Sequence, residues 1–262
     1  TLFGGFSSTV CWPLSALLID LAGWRDACLI YAAIHVLVSL PLQALVVRGE
    51  HRLAAPPAVP ADEPAPAQPM MKQATALFVL LALVMSFAAG IGAILIINLL
   101  IFLQARGLDF ATAVAIGALF GPSQVAARLI ERLFGSSYHP IWTLIAACLL
   151  MAVGLVALYA GVPALIFAIV VFGCGFGISW VARGTVPLAL FGPIRYPVMI
   201  GRLALPSLVV QALAPAIGAW LIDRIGANST IGLLTGFALT NVVLVGLLWA
   251  VSRHTMDSYN RC

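Results

Sequence analysis

The sequence is a succession of long apolar runs separated by short polar connections. Eight runs are long enough to cross a bilayer: residues 1–22, 27–47, 74–104, 110–134, 141–160, 163–191, 203–222 and 229–251. A helix needs about 20 apolar residues to span about 30 Å of hydrocarbon. Strict two-residue alternation, the mark of a transmembrane barrel, is absent. Inside a bilayer the backbone must satisfy its own hydrogen bonds, so helices remain as the spanning element. The expected fold is an all-α polytopic membrane protein with eight transmembrane helices.

The scarcity of charge supports this. Only 8% of the residues are charged and 63% are hydrophobic, against about 25% charged residues in soluble domains. So few charges cannot solvate a soluble fold, and the lipid bilayer is the expected partner. The net charge of +4 comes without a basic run or an aromatic–basic stripe, so no nucleic acid is expected.

Of the five cysteines, Cys11, Cys28, Cys148 and Cys174 lie inside apolar runs and none forms a CxxC pair. Buried small hydrophobes are expected there, not disulfides or metal ligands. A membrane-embedded enzyme would need facing carboxylates, a nucleophile–base set or clustered histidines. Nine acids and four histidines, mostly in the connections and without an HExxH pattern, do not offer that. No catalytic residue, cofactor or metal is expected.

Orientation follows from the basic residues. Ten of the thirteen lysines and arginines fall on one set of connections, and three (Arg25, Arg106 and Arg224) fall on the other. The richer side is expected to be cytoplasmic, which places the C-terminal tail, 253–262, inside. Residues 49–70 carry six prolines and mixed charges and read as an extended linker. One short echo crosses the chain: LIDLAG at 18–23 and LIDRIG at 221–226 each close an apolar run. They lie six runs apart, the spacing expected of a duplicated six-helix unit.

With this pattern the sequence resembles a major facilitator superfamily transporter. WPLSALLIDLAGW at 12–24 followed by Arg25 resembles the end of helix five, and ERLFG at 131–135 resembles the acidic–basic–glycine motif after helix eight. The latter has Glu131 in place of the usual Asp and one extra residue before Gly135. The resemblance implies that the eight runs are helices five to twelve of a twelve-helix, two-bundle transporter. Residues 1–47 would be the last two helices of the N-terminal bundle, 48–73 the cytoplasmic central loop and 74–252 the C-terminal bundle. The chain is then expected to be a fragment whose partners include the missing helices one to four.

The stretch GPSQVAARLIERLFG at 121–135 carries Arg128, Glu131 and Arg132 among apolar residues. Arg128 is six residues before Phe134, about 9 Å inside the helix end. A guanidinium at that depth is costly unless paired or wetted, so a substrate-binding role is expected. Its planar fork suits a carboxylate. In the monocarboxylate-transporter-like branch an acid lies four residues before a substrate-binding arginine; here that position is Gln124, which can share a hydrogen bond but carry no proton. Glu131 is placed to pair with Arg128 or Arg132. Glu131, Arg132, Asp20 and Asp223 are expected to set topology or to latch a gate.

Asn98 and Gln211 sit inside apolar runs as candidate cavity contacts or helix–helix bonds. For Asn98 a helix softened by Gly90 and Gly92 is considered. His35 is expected to be packed and hydrogen-bonded. Arg183 joins the site if its helix runs on to about 191, but a helix ending near 181, which makes Arg183 an interfacial anchor, is the favoured expectation. GCGFG at 173–177 lacks the strand and the lysine of a phosphate loop and reads as close helix packing.

The expected function is secondary active transport of a small organic solute, an organic anion being favoured, driven by an ion or solute gradient. The expected location is a bacterial inner membrane. Efflux of amphipathic compounds is the alternative within the class. A membrane enzyme and a non-transporting receptor are the alternatives outside it.

Overall fold

The computed structural model describes residues 2–50, 72–135, 138–161 and 164–259, and every structural statement refers to them. Residues 51–71, which hold all six prolines of the linker, and the last three residues lie outside the described residues. The elements are α1 (Leu2–Ile34), a π-helical turn (His35–Ser39), α2 (Leu40–Glu50), α3 (Lys72–Ile97), α4 (Leu99–Gln104), α5 (Phe110–Ala118), α6 (Phe120–Phe134), α7 (Pro140–Ala160) and α8 (Leu165–Tyr259). All of them are helical.

Five stretches are long and apolar enough to cross a membrane: Leu17–Leu45, Thr75–Ile97, Phe110–Phe134, Pro140–Ala160 and Leu165–Arg253. The expected eight separate helices are therefore corrected to five. Neighbouring apolar runs join end to end across single glycines, Gly23 in α1 and Gly192 and Gly226 in α8, each with a positive φ and an extended ψ. Lacking a Cβ, glycine adopts this conformation without strain.

The joined helices are not straight. Phe172 and Thr235 both meet one turn of α7: a Cβ on Gly154 would lie 2.7 Å from the Phe172 nitrogen, and the Thr235 hydroxyl donates to the Leu155 carbonyl at 3.4 Å. In a straight helix those two residues would be about 95 Å apart. Leu203 and Leu248 likewise share one buried cluster with Leu81 and Leu144. The chain therefore doubles back within α8.

The chain divides into two compact units, residues 11–70 and residues 1–10 with 71–262. In the smaller unit the Tyr31 hydroxyl lies 2.8 Å from the Ser15 hydroxyl and 3.4 Å from the Cys11 carbonyl, so α1 also folds back around Gly23. In the larger unit α8 packs against α7, α3 and α6. Large apolar side chains such as Leu205, Val243 and Ile194 stay exposed. In an integral membrane protein that surface meets acyl chains, where its exposure carries no hydrophobic penalty.

The packing rests on small residues. Within GCGFG, a Cβ on Gly177 would lie 2.7 Å from the Gln124 carbonyl oxygen, and one on Gly173 would strike the Ser123 hydroxyl. One on Gly175, on another face, would lie 2.7 Å from the Met151 nitrogen. The motif presses α8 onto α6 on one side and α7 on the other. Gly90 and Gly92 meet Val210 and Phe176 in the same way. The break in α3 falls at Asn98 instead, with φ −101° and ψ 13°.

Asp109 caps α5, its carboxylate accepting from the Thr112 N–H at 3.1 Å. Hydrogen bonds from the Thr112 side chain and backbone hold this carboxyl below its ordinary pKa.

Candidate functional site

Arg128 is buried in α6, and two hydrogen bonds orient its guanidinium. Nε donates to the Gly177 carbonyl of α8 at 3.1 Å, and Nη2 donates to Gln124 Oε1 at 3.1 Å. Gln124 is one turn earlier on the same helix face, as its four-residue spacing requires. The close approach at Gly177 brings the α8 carbonyl within reach of Nε. The structure thus brings Arg128 and Gln124 together and adds Gly177, which the sequence presents as a packing residue only.

Arg183 corrects a sequence expectation. The helix does not end near 181 but continues through Pro187 to Gly192. Arg183 therefore lies inside a membrane-spanning segment, its guanidinium 4.5 Å from the Trp180 ring centre. It lines a cavity of about 220 Å³ between α3 and two stretches of α8, with Met85, Trp180, Leu203 and Ser207.

Asn98 is buried, and its Nδ2 donates to the Ile94 carbonyl one turn back at 3.0 Å. It packs against Gly218, where a Cβ would lie 2.7 Å from that nitrogen. The side chain closes the helix break and a helix contact. Gln211 is half-buried in α8. Neither lines the Arg183 cavity.

Glu131 is paired with neither Arg128 nor Arg132 among the described residues. Its Oε1 accepts from the Thr143 hydroxyl of α7 at 3.1 Å. The expected local ion pair is thus replaced by a bond between helices. Arg132 is exposed in the last turn of α6, where a cation complements the helix dipole.

Asp20 and Asp223 are exposed, each three residues before a glycine of positive φ, Gly23 and Gly226. His35, expected to be packed, is exposed and opens the π-helical turn. Of the four cysteines in apolar runs, Cys148 is buried and Cys174 half-buried, while Cys11 and Cys28 are exposed.

Sequence reasoning passed over Thr143, Trp180 and Ser207. Trp180 lies one turn before Arg183, a spacing the sequence does offer, whereas Thr143 meets Glu131 and Ser207 joins the Arg183 cavity only through packing between helical stretches. The sequence matches no protein-family model and no curated protein.

Proposed function

We propose that this chain serves secondary active transport of a small organic anion, a carboxylate above all, by alternating access. The observation that carries the reading is Arg128, a guanidinium buried in a membrane-spanning helix and held in one orientation by Gln124 and the Gly177 carbonyl. Ionisable groups at such positions are costly and default to function. An oriented fork matches the two oxygens of a carboxylate. Arg183 adds a second cation on a cavity wall.

The architecture supports a transporter of the major facilitator type. We assign the five apolar stretches, with their reversals at Gly23, Gly192 and Gly226, to the part of a twelve-helix pattern that runs from helix five to helix twelve. Residues 48–73 then form the cytoplasmic central loop, and the tail from 253 lies on the same side, in a bacterial inner membrane. Further helices of the same polypeptide complete the cavity. Gln124 carries no proton, so coupling, whether to an ion or a solute gradient, falls to another residue.

The test is uptake by the full-length polypeptide in proteoliposomes. Labelled mono- or dicarboxylates should accumulate, and Arg128→Ala should reduce uptake at least tenfold at unchanged expression. Unchanged uptake removes Arg128 from the site.

A further inference from the structure

A cavity of about 720 Å³ opens where α6, α7 and the first stretch of α8 meet at the C-terminal end of α6. Its walls are apolar side chains, including Ile130, Leu150 and Ile178, together with the rings of Phe134, Tyr138 and Trp142. All three rings are exposed. Glu131 is the one charged residue on that wall. A second cavity, of about 420 Å³, shares Glu131, Gly135, Tyr138 and Thr143 with the first. The carboxylate therefore stands at the junction of two spaces.

The carboxylate is held there by two features. Thr143 donates to Oε1 at 3.1 Å and fixes the side chain on α7. Gly135 leaves the room it needs, since a Cβ at that position would lie 2.8 Å from the carboxyl carbon. Among the described residues the Thr143 hydroxyl is the only polar partner of this carboxylate, so Oε2 is left to accept from a ligand. Trp142 is braced by Trp249, with ring centres 5.6 Å apart.

We infer that this cavity binds an organic ammonium ion with an apolar body, independently of the anion site at Arg128. A carboxylate beside exposed aromatic faces attracts a cation through both charge and ring quadrupoles. The volume falls within the range of about 300–1,000 Å³ typical of small-molecule sites, and apolar walls with one placed polar group are their usual form. The ammonium group bonds Oε2 at the junction, and its body fills the larger space. A free amphiphilic amine and the ammonium head of phosphatidylethanolamine share this chemistry; the site is assigned to the free amine.

The test measures equilibrium binding to the purified protein in phosphatidylcholine nanodiscs. The probes are tritiated phenylbutylammonium and, as an uncharged match, tritiated phenylbutanol. Wild type should bind the ammonium saturably. Glu131→Gln should weaken it at least tenfold while leaving the alcohol unchanged. Gly135→Ala, which displaces the carboxylate without removing it, should also weaken the ammonium selectively.

Equal ammonium binding by wild type and Glu131→Gln, or equal loss of both probes, overturns the proposal. The measurement is repeated in discs containing phosphatidylethanolamine. Retained binding supports the free amine. Complete displacement overturns that assignment in favour of the lipid head. No step depends on transport, so failure of the anion reading leaves this result intact.

Discussion

Gly23 and Gly226 hold the same backbone conformation, φ 81° with ψ 166° and φ 82° with ψ 160°. Each ends a copy of one short sequence, LIDLAG and LIDRIG. In each case an aspartate lies three residues earlier and the chain doubles back. This region of backbone space is closed to residues with a Cβ, and forcing one into it costs about 1–3 kcal/mol.

Gly23→Ala and Gly226→Ala should therefore each destabilise the protein by about 1–3 kcal/mol. Neither glycine has an atom within 4 Å of the place a Cβ would take, so the effect is conformational and not steric. Gly201 is the control. It is helical, has a negative φ and faces open space. Gly201→Ala should stabilise by roughly 0.5–1 kcal/mol. Thermal unfolding in detergent reads both signs, and equal behaviour of all three variants would contradict the strain argument.

Gly177→Ala should act by a different route. Its Cβ would lie 2.7 Å and 2.8 Å from backbone atoms of Gln124, which cannot swing aside. The two helices must part, at about 1–3 kcal/mol, and the Arg128 bond to the Gly177 carbonyl lengthens with them. Gly236→Ala, with open space around it, should show neither effect. Thermal unfolding and carboxylate uptake together separate the two consequences.

The α5 cap predicts a pH effect. Thr112 lowers the folded pKa of Asp109 beneath its ordinary 3.8. A carboxyl depressed on folding contributes stability that is fully present above its unfolded pKa and lost as pH falls through the folded value. The stability difference between wild type and Asp109→Asn should thus be constant at neutral pH and shrink below pH 3.8. A difference that grows on acidification would reverse the sign. Unfolding midpoints across an acid titration decide it.

The orientation can be read chemically. In a cysteine-free background Pro60→Cys should react only with reagents applied from the cytoplasmic side. Labelling from outside would invert the assignment of the basic connections.

The helical character, the Arg128–Gln124 contact and the GCGFG packing were legible because each rests on a short-range period. The apolar runs show helix length, and a four-residue spacing puts Gln124 beside Arg128. The spacing of the GCGFG glycines offers two faces for close approach. The continuation of the helix through Arg183 was not legible. An arginine within an apolar run suits an interfacial anchor at a helix end, yet this helix continues past Arg183 and through Pro187, which a membrane helix tolerates where neighbouring helices cover the freed carbonyl. The Glu131–Thr143 bond was hidden for another reason. Two arginines are nearer in sequence, and only the packing of α7 on α6 supplies the hydroxyl. The joining of runs across single glycines was hidden too, because a glycine that ends an apolar run signals a turn without saying whether the helix resumes at once.

Arg128→Lys tests the fork separately from the charge. A lysine places its ammonium as a point charge and cannot reproduce both the Nε bond to Gly177 and the Nη2 bond to Gln124. Carboxylate uptake should fall at least tenfold with unfolding temperature nearly unchanged. Full activity in the lysine variant would show that charge alone is sufficient.

The most direct test of the central claim is a flux panel with the full-length polypeptide in proteoliposomes. Labelled monocarboxylates, dicarboxylates, amino acids and cationic dyes are compared for wild type and Arg128→Ala. The account predicts carboxylate flux in the wild type that disappears in the variant. Dye flux without carboxylate flux, surviving the substitution, would contradict it and leave Arg128 as a clasp between α6 and α8.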